Sequence, residues 1–179
     1  MNVLPESALL DEVLVTYRQV LTIDYNAYRN HCMRVLNFCL ALAGDITDAE
    51  EKISIAALFH DLGIWTDSTF DYILPSQQLA LDYLEKSGRA EWCDEINAMI
   101  GEHHKITRYR ADASSLVEPF RKADWIDVSG GLLRFRLPDD FVTDVLEAFP
   151  NAGFHKKLVT LSVDRLKTHP FSPLPMMKF

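Results

Sequence analysis

Eight stretches of this 179-residue chain repeat apolar side chains at helical spacing, and no stretch long enough to build a sheet alternates with period two. The periodic segments run from about 7 to 20, 24 to 43, 48 to 62, 76 to 87, 91 to 104, 114 to 129, 139 to 149 and 154 to 168. Turn-forming residues fall between them: Gly44-Asp45, Pro75-Ser76, Gly88, Gly130-Gly131, Pro138-Asp139 and Pro150 to Gly153. Asp48, Ser76 and Asp139 are placed to cap helix N-termini. The one alternating run, Leu133 to Leu137, is too short and isolated to make a sheet. The pattern therefore predicts an all-α fold, a compact bundle of about seven to eight helices. With 48% hydrophobic residues and a mean hydropathy of −0.04, one soluble globular domain over residues 1 to 179 is expected.

Charge narrows the partners. A net charge of −8 opposes broad binding to a nucleic-acid backbone but is compatible with one small anionic substrate held by a cation and a few basic side chains. The N-terminal segment has no basic region followed by an apolar one. The longest uncharged apolar-rich stretch, Val35 to Gly44, falls far short of the ~20 residues a membrane span needs. No membrane association is expected, the cytoplasm is the default compartment, and a homodimer is compatible with the sequence. The three cysteines lack a CxxC spacing and are expected to be reduced packing residues.

Four residues on helical segments suit one divalent cation: His31, the adjacent pair His60 and Asp61, and Asp124. The pair ends the apolar run Ile53 to Phe59 and is followed by Leu62-Gly63, where glycine can take the backbone out of helix. A histidine and an aspartate at the end of a buried helix are costly to desolvate unless each finds a partner, and a metal satisfies both. His31 shares an inward stripe with Tyr28, Val35, Phe38 and Leu42, and Asp124 sits among Ala123, Trp125 and Ile126. Imidazole and carboxylate ligands suit Fe, Mn, Co, Ni or Zn without choosing among them. Taken singly, each residue has an ordinary explanation, as a core histidine, a helix-end pair or a helical acid.

The segments YRNHCMRVLNF, AALFHDLGIW and RKADWID, in this order, resemble the HD-domain superfamily of metal-dependent phosphohydrolases. The resemblance covers roughly residues 24 to 130. It implies His31, His60, Asp61 and Asp124 as metal ligands, with Asp61 also in the chemistry, and a metal-activated water attacking a small phosphorylated metabolite such as a nucleotide. Asp127 rivals Asp124 for the distal carboxylate. The Lys-Ala-Asp context matches the family pattern at Asp124, which leaves Asp127 as an acid behind the ligands or on the surface. The doublet is followed by Leu-Gly-Ile, without the Lys of the cyclic-dinucleotide-degrading branch and without the Glu that some single-metal nucleotidases of the family carry at this position.

The second informative segment is Met99 to Lys105, which contains His103 and His104 at the end of a helical stretch. Their ordinary role is interaction with a helix C-terminus. Binuclear family members resemble this chain in carrying further histidines between the doublet and the last aspartate, which implies a catalytic or metal-associated role for both. The cofactor expected is Mn, Fe, Co, Ni, Mg or Zn, as one ion, or as two about 3.5–4 Å apart that share Asp61. Candidate phosphate contacts are Arg34, Lys105 and Lys122, with Arg108 and Arg110 behind them. Competing readings of the same site are a hydratase, a diiron oxygenase and a non-catalytic metabolite-binding protein.

Overall fold

A computed structural model describes residues 1–112, 115–172 and 174–178. Seven helices of ten or more residues form the body: α3 (Tyr25–Ala43), α4 (Ala49–Phe59), α6 (Ile73–Lys86), α7 (Cys93–Glu102), α8 (Val117–Val128), α9 (Asp139–Ala148) and α10 (Phe154–Thr168). Three shorter ones, α1 (Ala8–Leu14), α2 (Arg18–Leu21) and α5 (Gly63–Thr66), complete the set, and no strand occurs among the described residues. The all-α expectation holds. No helix among the described residues is long and apolar enough to cross a membrane.

α3 is the axis of the fold. It packs against α8 and α4, with Cys32, Val35, Leu36, Phe38 and Cys39 all fully buried. α4 carries the small and apolar run Ile53 to Phe59, every residue of it buried, so it lies close against its neighbours. These two helices deliver His31 and the His60-Asp61 doublet to the same interior point, and α7 and α8 close it from the other side.

Local chemistry moves several element boundaries. The first periodic segment breaks into α1, a 3-10 turn over Val15–Tyr17 and α2. There Thr16 Oγ1 donates to the Val13 carbonyl, as hydroxyl side chains do when they compete with the backbone. Ser76 does not cap α6. That helix starts at Ile73 with Pro75 inside its first turn, where a missing N–H costs nothing, and the Ser76 hydroxyl instead accepts from Gly63 N at 3.0 Å. Asp139 is the first residue of α9 rather than its cap. Leu133 to Leu137 is not extended, because Phe135 and Arg136 have φ of 45° and 75°. The tail packs only in part: Met176 is buried against Ile64, Phe70 and Tyr72, whereas Phe171 is fully exposed.

Gly63 has a different reason from the one its position suggests. It does not turn the chain but begins α5, after Leu62 in right-handed helical geometry. A Cβ there would lie 2.6 Å from the Tyr72 carbonyl oxygen, so glycine is what lets this backbone approach the start of α6. Gly63→Ala is expected to destabilise the fold by on the order of 1–3 kcal/mol through this overlap. Thermal unfolding followed by circular dichroism measures it, and an unchanged midpoint would show that the approach relaxes freely.

Candidate metal centre

Three histidines meet at the interior point with the same ring nitrogen turned inward. His31, His60 and His103 are all fully buried. Each has its Nδ1 against an acceptor that carries no proton to give: Asp127 Oδ2 at 2.5 Å for His31, Ala57 O at 2.8 Å for His60, and Ile100 O at 2.7 Å for His103. The Nδ1 of each ring must therefore donate, which leaves Nε2 as the atom that looks into the cluster.

Two carboxylates face those nitrogens. Asp61 Oδ2 lies 3.5 Å from His60 Nε2 and 3.7 Å from His31 Nε2, and its Oδ1 is 3.4 Å from His103 Nε2. Asp124 Oδ1 lies 3.7 Å from His60 Nε2 and 3.9 Å from His31 Nε2, while its Oδ2 is 3.7 Å from His104 Nδ1. On its far side His104 Nε2 meets the Tyr72 hydroxyl at 2.6 Å. Of these side chains only His104 keeps appreciable exposure, 16%, so the cluster communicates with solvent past His104 and Tyr72.

Apart from a 2.9 Å contact between His31 Nε2 and His60 Nε2, hydrogen bonding within the protein does not satisfy this group. Asp61 Oδ1, His103 Nε2 and both oxygens of Asp124 are buried without a hydrogen-bond partner, and the only other such side-chain atom among the described residues is His155 Nε2. The concentration of orphaned atoms at one point, all of them lone-pair donors, fits a cation. The ligand atoms fall into two sets, His31, His60 and Asp61, and Asp61, His103 and His104, each within 4.8 Å of one another, with Asp61 common to both.

Electrostatics agree. Burial alone would push the His60 imidazole down, but Asp61 and Asp124 beside it carry it up to about 9. Burial likewise opposes ionisation of Asp61, yet His60 and His103 hold its carboxyl well below the ordinary range, and Asp124 is lowered in the same way by His60, His103 and His104. The acids thus draw a proton onto His60 in the absence of an ion, and a divalent cation bound by these atoms would displace it. His104 is pushed down to about 3 by burial and by the neighbouring His103, so it presents a neutral ring. Burial also keeps Tyr72 a neutral hydroxyl, reinforced by the negative charge of Asp61 and Asp124.

The six residues His31, His60, Asp61, His103, His104 and Asp124 are thus brought together, and the basic residues are not. Arg34 is a correction. It is 1% exposed, its Nε and Nη2 fork onto the two oxygens of Asp127, and its Nη1 donates to Phe149 O at 2.9 Å, so it is not placed to meet a substrate. Lys122 lies about 200° round the helix from Asp124, 3.6 Å from Glu118 and over the Phe135 ring, facing away from the cluster. Lys105, next to His104, has its ammonium 4.0 Å from Glu102. Asp127 lies wholly inside the protein rather than on its surface.

The segment after the doublet supplies Tyr72. Two contacts were not legible beforehand: Phe154, whose ring stacks on His31 at 4.0 Å and 17°, and the ion pair behind His31. Neither leaves a local motif, because Phe154 and Asp127 are brought to His31 from far along the chain.

A family model described as HD domain matches residues 28–129, which contain all six residues of the cluster. No curated protein and no solved structure matches the chain.

Proposed function

This chain belongs to the HD domain family, and from that premise we propose that it is a metal-dependent phosphohydrolase acting on a small phosphorylated metabolite such as a nucleotide. The observation that carries the reading is the set of orphaned, buried ligand atoms on Asp61, His103 and Asp124, facing the Nε2 atoms of His31 and His60, which meet only each other at 2.9 Å. A divalent ion held there lowers the pKa of its bound water towards neutrality and offsets charge developing on a phosphoryl group. His31, His60, Asp61 and Asp124 would hold one ion. Because Asp61 also belongs to the set with His103 and His104, the same carboxylate would serve a second.

The chain's own groups then divide the remaining work. His103 is fixed by Ile100 O and presents Nε2, while His104 is fixed through Tyr72 with Nδ1 towards Asp124. Together they set the wall past which substrate enters. The apolar packing of Ile64, Phe70, Tyr72 and Met176 beside that wall limits water around the reacting group. Lys105, adjacent to His104 in sequence, is the basic side chain we assign to the substrate's phosphate, which it would reach by leaving Glu102.

The test is reconstitution. Purified protein stripped of metal and reloaded with Mn, Fe, Co, Ni, Mg or Zn is expected to hydrolyse members of a broad phosphoester panel with at least one of these ions, to lose activity on chelation and to regain it on reloading. Loaded protein that hydrolyses nothing in the panel would falsify the proposal. Dioxygen uptake by a two-iron form, or zinc-dependent hydration of a nitrile or carbonyl compound, would replace it with the oxygenase or the hydratase.

A further inference from the structure

We propose that Asp127 is a positioning residue for this centre: it fixes the tautomer and direction of His31 from behind, and Arg34 pins Asp127 in place. The inference rests on the reading that the cluster holds a divalent metal.

The need for Asp127 follows from where each histidine sits on its helix. His60 and His103 are the residues that cap the C-termini of α4 and α7. The last carbonyls of a helix have no intrahelical partner, so Ala57 O and Ile100 O, three residues back, are available to receive Nδ1–H. His31 has no such carbonyl. It lies in the middle of α3, where the carbonyls of the preceding turn are engaged in the helix ladder. Its ring must find an acceptor elsewhere, and Asp127 Oδ2 is that acceptor, at 2.5 Å. Without it, the remaining hydrogen bond of the ring is the 2.9 Å contact of Nε2 with His60 Nε2, in which either nitrogen can be the donor, and a protonated Nε2 cannot ligate.

Asp127 is itself held from two sides. It lies one turn after Asp124 on α8, so the two aspartates approach His31 from the same helix with opposite duties. Arg34, one turn after His31 on α3, grips both of its oxygens, and the same guanidinium donates to Phe149 O in the turn between α9 and α10. Asn30 Nδ2 donates to Pro150 O in that turn at 2.8 Å, and Phe154, two residues beyond Ala152, stacks on the His31 ring. Edge and face of His31 are therefore both set by side chains that are not themselves ligands.

Two variants test this. Asp127→Asn keeps the shape but removes the charge and turns an amide towards Arg34 or His31. The double variant Arg34→Met with Asp127→Leu removes the pair together, so that no buried charge is left alone. In metal-free protein, 15N NMR of the imidazoles is expected to show His31 as a single Nδ1–H tautomer in the wild type and as a mixture in the double variant. Titration with Co(II) is expected to give affinity roughly 10–100-fold weaker in both variants, with a displaced visible absorption band. A wild type that binds no Co(II) overturns the metal reading and this inference with it. A wild type that binds Co(II), with variants that match it in affinity, band and tautomer, overturns this inference alone.

Discussion

Asp61→Ala is expected to abolish metal content and hydrolysis together. Asp61 is the one residue shared by both ligand sets, with Oδ2 towards His31 and His60 and Oδ1 towards His103. Truncating it removes the carboxylate common to both sets and half of the cluster's negative charge, since Asp124 alone then faces His31 and His60 Nε2. Loss of a nucleophile-generating site costs far more than loss of a binding contact, so activity should fall to background rather than by a modest factor. Metal analysis of the purified variant, beside a phosphoester assay and an unfolding curve, measures both effects. Stoichiometric metal retained after this change would mean that the ligand set is wrong.

The largest effect on stability is expected at Arg34. Arg34→Met replaces a buried guanidinium with an apolar side chain and leaves Asp127, fully buried, facing His31 without its counter-charge. Breaking a buried pair from one side costs about 3–5 kcal/mol, a large part of the 5–15 kcal/mol that typical domains possess. For a chain of this length the melting midpoint should fall by on the order of 10 °C. Burial would push the Asp127 carboxyl up, and it is His31 and Arg34 that hold it well below the ordinary range. Removing Arg34 therefore also weakens the grip on His31, and metal affinity should fall with the midpoint. The double variant with Asp127→Leu should recover much of the stability but not the metal affinity. Equal midpoints for wild type and Arg34→Met would show that the pair contributes nothing net.

The contrast between Arg34 and His31 shows what was legible in the sequence. Helical periodicity located α3, α4, α7 and α8, because apolar spacing reports the buried face directly. The His-Asp doublet and its partners were legible as a motif whose chemistry needs those residue types. Arg34 was misread because a basic residue one turn from a ligand looks like a substrate contact, and nothing local reveals that α3 is enclosed there too. Its partner is Asp127, reached only when α8 folds against α3. Gly63 was similarly misjudged, since a close backbone approach and a turn demand the same residue.

The two rings at the ends of α4 and α7 have a practical implication for building sites from scratch. Each such helix terminus brings its own acceptor, three residues back, for the outward nitrogen of its histidine. A designer grafting imidazoles onto helix termini thus needs no supporting side chain, whereas a histidine placed mid-helix obliges the designer to supply a dedicated carboxylate and then a cation to accompany it.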